Sequence, residues 1–133
     1  MNKLRILVVD DDKLVLRSCV RALTEIPGAE IVQRNTGDQA AHLLSSEAFD
    51  LLISDIRMPR VSGLDLLEVA HQQDPDLPVI LITGYPTAEI SKGCHSLGAA
   101  ACLMKPIPPE ELLATVRRVL KPERPDPGLS SRQ

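Results

Sequence analysis

The feature that most constrains this chain is a short apolar run that recurs and each time stops at a polar residue. Arg5–Val9 (RILVV) halts at Asp10, Asp11 and Asp12, Leu51–Ser54 (LLIS) at Asp55, and Val79–Ile82 (VILI) at Thr83. One such run alone reads equally as a fragment of buried helix. Three of them, each four or five residues long, rich in Val, Ile and Leu and followed by turn chemistry, read as strands buried on both faces. Weaker strands are expected at Glu30–Arg34 and Ala101–Met104.

Helical patterns fill the gaps. Lys13–Ile26 puts Leu16, Val20 and Leu23 on one face, and Thr36–Ser45 follows a capping Thr36 with Ala40, Leu43 and Leu44 inward. Ser62–Gln73 has Ser62 as cap and Leu64, Leu67 and Ala70 as its stripe, and stops before Asp74-Pro75. Thr87–Leu97 ends at Gly98, and Pro109–Leu120 begins with a first-turn proline and buries Leu112, Val116 and Val119. A β-α unit repeated five times predicts an α/β fold, a parallel sheet with helices on both faces, and right-handed crossovers leave only a few doubly wound topologies. Residues 1–120 form that domain. From Lys121 to residue 133 the chain reads KPERPDPGLSSRQ, a proline-rich linker or disordered tail.

Composition excludes several function classes. The net charge of −3 gives no general attraction to nucleic acid, and no apolar run approaches the ~20 residues that span a bilayer, so neither DNA nor membrane is an expected partner. With no Trp, one Tyr and one Phe, the core is aliphatic and stacking platforms for bases or flavins are lacking. Cys19, Cys94 and Cys102 show no metal-ligand spacing and read as reduced thiols of a cytoplasmic protein.

In an open parallel sheet, ligands gather beyond the carboxyl ends of the strands, where strand order reverses. A 2-1-3-4-5 order places Asp10, Asp11, Asp55, Thr83 and Lys105 around one pocket, although they span more than ninety positions. Three crowded carboxylates raise one another's pKa, and a divalent cation relieves the conflict. An oxygen-only donor set suits a hard ion, Mg²⁺ above all. A carboxylate there can attack phosphorus, with metal, ammonium, hydroxyl and backbone N–H neutralising the phosphoryl oxygens. Asp55 stands alone at its strand end and is the candidate nucleophile. Asp10 and Asp11 come as a pair and suit metal binding.

The stretches LVVDDD (7–12), DLLISDIRMPRVSGLDLL (50–67), VILITGYPT (79–87) and LMKPI (103–107) resemble those of response-regulator receiver domains of two-component signalling, from about Lys3 to Leu120. The resemblance implies a flavodoxin-like (βα)5 fold with a five-stranded parallel sheet, order 2-1-3-4-5. It makes Asp55 the phosphoacceptor, Asp11 a direct Mg²⁺ ligand, Asp10 a ligand through water and the Arg57 carbonyl a third protein ligand. Thr83 and Lys105 would contact the phosphoryl group, and the Lys105–Pro106 bond would be cis. The implied donor is a sensor histidine kinase, with small acyl phosphates as substitutes. The implied output is a shift in the face of the fourth helix, fifth strand and fifth helix, a face through which a homodimer can form. On this reading the chain is no enzyme acting on other substrates; it catalyses only its own aspartyl phosphorylation and dephosphorylation.

The chain also departs from the family. Cys102 stands where the family usually has Tyr or Phe three residues before the lysine, so rotation of an aromatic ring is not its readout, and Ile107 stands where Phe is frequent. Arg57 and Tyr85 border the site and would tune loss of the acyl phosphate. Asp12 is expected as N-cap of the first helix, Cys102 as a packed thiol rather than a redox sensor, His42, His71 and His95 as structural, and Lys13, Arg57, Arg60 and Lys92 as solvated charges. Two other classes compete with this reading. The usual mark of a pseudo-receiver is loss of an acid of the pair or of the acceptor, and this chain retains all of them. A phosphatase or flavin protein would need an Asp-x-Asp-x-Thr or Ser/Thr/Gly loop after the first strand, and none is present.

Overall fold

The structure is a computed structural model and describes residues 3–85, 94, 96 and 98–120. Five strands, β1 (Leu4–Val9), β2 (Ala29–Arg34), β3 (Leu51–Asp55), β4 (Val79–Thr83) and β5 (Ala101–Met104), form one parallel sheet in the order β2-β1-β3-β4-β5. Four helices are described in full: α1 (Lys13–Leu23), α2 (Gly37–Ser46), α3 (Gly63–Gln73) and α4 (Pro109–Leu120). The helix expected at 87–97 lies outside the described residues except at positions 94 and 96, as does the tail from residue 121.

The unbroken apolar strands follow from coverage on both faces. Along β1, Ile6 and Val8 join α1 and α4, packing with Leu16, Leu23, Leu112 and Val116. Leu7 and Val9 join the opposite layer with Leu43, Leu44, Leu66 and Leu67 of α2 and α3. Period-two alternation is therefore present, but both phases are apolar because neither meets water.

Among the four described helices the limits agree with expectation to within one residue except at α1, which ends at Leu23 rather than Ile26. Glu25 and Ile26 donate to Ala22 and Leu23, three residues back, so the last turn tightens before Pro27 and Gly28, whose φ is +78°. The α1 stripe is Leu16, Cys19, Ala22 and Leu23, with Val20 only partly buried, and in α3 it is Leu66, Leu67 and Ala70, with Leu64 at its edge. Val119 is likewise partly covered, beside the buried Leu112 and Val116. Each of these shifts moves the apolar face by less than a turn, because a helix lying on a twisted sheet buries a broad stripe rather than a single row.

Candidate functional site

β1 delivers two acids. Val9 is the last buried apolar residue, and Asp10 follows at 1% exposure, its Oδ1 accepting from the Asp12 N–H at 2.9 Å. Asp12 caps α1 as expected, its side chain accepting from the N–H groups of Leu14 and Val15. Asp11, exposed, lies between them. Asp55 ends β3 beside β1 at 4% exposure. One carboxylate oxygen from each of Asp10, Asp11 and Asp55 lies within 4.8 Å of the others.

A glycine holds α3 against this strand end. Gly63 donates its N–H to the Ile56 carbonyl at 2.9 Å, and a Cβ built on Gly63 would stand 2.3 Å from the Asp55 carbonyl oxygen. Only a residue without a side chain permits that approach. The capping Ser62, joined by the Asp65 carboxylate in a reciprocal box, starts the helix at this point. The cap is written in the local sequence, whereas the glycine's role depends on a contact that no local pattern records.

Lys105 follows β5 and reaches back to β1. Its Nζ lies 3.1 Å from Asp10 Oδ2, 3.3 Å from Asp10 Oδ1 and 3.4 Å from Asp55 Oδ2. The Lys105 N–H donates to the Thr83 carbonyl, and the Lys105–Pro106 peptide is cis. Burial raises the Asp55 carboxyl to about 6, reinforced by the charge on Asp10 and opposed by Lys105 and the Arg57 backbone N–H. Burial also raises Asp10, against the Asp12 N–H and Lys105, with Asp11 adding to the rise. For Lys105 burial favours the neutral amine, but Asp10 and Asp55 outweigh it and the ammonium is favoured.

The residues fit a hard cation. The donors are all carboxylates, and Asp10 Oδ2, fully buried, makes no hydrogen bond among the described residues although the ammonium lies nearby. The Lys105 ammonium is shared between Asp10 and Asp55, so a buried anionic oxygen without a hydrogen bond gains from a further cation. Asp10, Asp11 and Asp55 are the residues placed to hold one.

Thr83 ends β4 at 2% exposure, and its Oγ1 accepts from the Tyr85 N–H at 2.9 Å. The Arg57 guanidinium lies 4.7 Å from the centre of the exposed Tyr85 ring, so Arg57 has a stacking partner rather than being simply solvated. Arg60 is likewise paired, with Asp38 of α2, at a φ of +65°. Lys13 is exposed as expected, His42 is exposed on α2, and His71 Nε2 contacts the Leu77 carbonyl at 2.9 Å. Lys92 and His95 fall outside the described residues. Cys102, in β5, is a packed thiol against the α2–α3 layer.

Comparison with known proteins is consistent with this geometry. Residues 6–117 match the family model for the response regulator receiver domain. The C4-dicarboxylate transport transcriptional regulatory protein DctD of Pseudomonas aeruginosa is 38% identical over 123 residues, covering 90% of this chain and 26% of that protein. Response regulator MprA of Mycobacterium leprae is 33% identical, covering 96% of this chain and 56% of MprA. The chain thus spans about a quarter to a half of these relatives. Among solved structures, a CheY-like receiver domain protein from Methanospirillum hungatei superposes with a TM-score of 0.82 at 36% identity, covering 90% of this chain and 94% of that one. Vibrio cholerae CheY4 gives 0.81 at 28% identity, covering 90% and 100%.

Proposed function

The chain belongs to the response regulator receiver domain family, and on that premise we propose that Asp55 accepts a phosphoryl group from a sensor histidine kinase in the cytoplasm. The observation that carries this reading is the meeting of Asp10, Asp11, Asp55 and Lys105 from three separate strand ends.

In the proposed reaction an Asp55 carboxylate oxygen attacks phosphorus, the phosphorus–nitrogen bond of the donor phosphohistidine breaks, and its electron pair returns to the imidazole. Asp55 must be ionised for this. Lys105 favours the ionised form and is positioned to pair with a phosphoryl oxygen as charge moves outward. Thr83, whose Oγ1 is already an acceptor for Tyr85, has its hydroxyl proton to offer to another oxygen of the group. Mg²⁺, held by Asp10, Asp11, Asp55 and the Arg57 carbonyl, would neutralise phosphoryl charge. Water attack on the acyl phosphate then resets Asp55, so the chain catalyses only its own modification and its reversal.

The output follows as a population shift of the face made by the helix expected at 87–97, β5 and α4, with a homodimer through that face as one form of it. Apparent mass in solution with and without a phosphate mimic tests the dimer, and an unchanged mass would rule it out. The core reading is tested by intact-protein mass after incubation with acetyl phosphate, with and without Mg²⁺. A single Mg²⁺-dependent phosphoryl adduct, absent from Asp55→Asn, is expected. No adduct, under conditions that label another receiver, would leave a domain that keeps the fold without the chemistry.

A further inference from the structure

We propose that Cys94 and Cys102 are an oxidisable pair that a peroxide converts to an intramolecular disulfide. Their sulfur atoms lie 3.1 Å apart, Cys94 at 1% exposure and Cys102 half-buried in β5. A disulfide requires about 2.05 Å, so closure needs the two sulfurs to approach by about 1 Å. A metal pair fits worse. Two thiolates on tetrahedral zinc, each about 2.3 Å from the ion, stand about 3.8 Å apart, and the His, Cys, Asp and Glu cluster found among the described residues is the aspartate one.

The order of events follows from access. Hydrogen peroxide reaches the half-buried Cys102 first: its sulfur attacks the O–O bond, gives sulfenic acid, and one water leaves. The Cys94 sulfur then displaces the sulfenic hydroxyl, a sulfur–sulfur bond forms, and the Cys94 proton departs with the hydroxyl as a second water. Each sulfur loses one electron and the peroxide gains two. Burial, aided by the neighbouring Cys102, raises the Cys94 thiol to about 12. Cys94 is therefore a poor independent nucleophile and acts as the resolving thiol only because it already touches its partner.

The sheet keeps the third thiol out. Cys94 and Cys102 pack with the α2–α3 layer, whereas Cys19 packs with α1 and α4 on the opposite face. The bond would tether β5 to the chain at Cys94. Cys102 pairs with Leu81, two residues before Thr83, and lies three residues before Lys105. A cellular thiol pool would reverse it, as for a transient intracellular disulfide.

No Lys or Arg lies between Gly93 and Met104, so one tryptic peptide carries both cysteines. The folded chain is treated with hydrogen peroxide, quenched, unfolded in iodoacetamide and digested without reductant. The expected peptide is two hydrogens lighter, takes no alkyl group, and becomes doubly alkylated after dithiothreitol, while Cys19 stays alkylated throughout. Cys94→Ser should abolish the loop and leave oxidised Cys102. Doubly alkylated wild-type peptide, under conditions that oxidise a control dithiol, would overturn the proposal. So would a cross-link to Cys19, or a wild-type product at Cys102 identical to that of Cys94→Ser.

Discussion

Replacing Asp55 with Asn should stabilise the metal-free protein at neutral pH, because the folded pocket resists the charge that Asp55 carries there. Its carboxyl titrates near 6 in the folded state and near 3.8 when unfolded. Between those values the folded protein holds a proton that the unfolded chain has released. Stability therefore falls as pH rises through the window, and the loss is complete above the folded value. At 1.36 kcal/mol per unit, a shift of this size corresponds to about 3 kcal/mol at pH 7. The side chain is only 6% exposed, so solvent screens little of it. That figure already includes the attraction of Lys105; Asn is never charged but puts an amide where a carboxyl oxygen stood, so the expected net gain is about 1–3 kcal/mol.

The assay is urea unfolding in EDTA, followed by far-UV circular dichroism because the chain has no Trp. Wild type and Asp55→Asn are compared at several values between pH 4 and 7.5. The variant's advantage should be largest at pH 7.5, shrink through pH 6 and vanish near pH 4, where wild type also holds its proton. Saturating Mg²⁺ should remove or reverse it, since the ion rewards the ionised carboxylate. A variant no more stable than wild type at pH 7.5 in EDTA, or an advantage independent of pH, would refute the reasoning.

Three further outcomes are expected. Gly63→Ala drives a methyl into the Asp55 carbonyl, so α3 must shift, at about 1–3 kcal/mol in urea unfolding, with slower labelling by acetyl phosphate. Unchanged labelling would mean that the helix start does not position Asp55. Lys105→Met leaves Asp10 and Asp55 facing each other without a cation; the metal-free protein should lose about 2 kcal/mol at pH 7 and little at pH 4, read from the same denaturation curves. Asp12→Ala removes the cap of α1 and should cost about 1 kcal/mol at pH 7 without abolishing phosphorylation, which would separate Asp12 from its two acidic neighbours.

What was legible in the sequence was whatever is written locally. Runs such as LLIS and VILI disclose buried strands because no half-exposed strand tolerates so many consecutive aliphatics, and Asp12, Thr36 and Ser62 disclose helix starts because their side chains satisfy nearby N–H groups. The site was legible one step further, since each of its acids ends such a run. Contacts between distant segments were not. Gly63 against Asp55, Arg57 on Tyr85, Arg60 on Asp38 and the Cys94–Cys102 contact depend on packing that no spacing rule encodes. Periodicity points Val20 inward where the structure buries Cys19, for a related reason: the centre of a buried stripe is set by how the helix lies on the sheet.

The charge balance of the pocket argues that a cation is a requirement of the proposed reaction rather than an accessory. Among the described residues the three-carboxylate cluster is met by the Lys105 ammonium, at Asp10 and Asp55, which leaves two negative charges uncompensated before any phosphoryl group arrives. Transfer to Asp55 replaces a singly charged carboxylate with a phosphoryl group carrying nearly two charges, so the imbalance grows. Thr83 and backbone N–H groups supply dipoles, not a full charge. Chelation should therefore stop labelling of Asp55 altogether, and removing the ion after labelling should slow hydrolysis of the adduct, because water attack passes through the same crowded charge. Labelling that persists in EDTA would mean that Lys105 alone balances the site, and the electrostatic reading of Asp10 and Asp11 would be wrong.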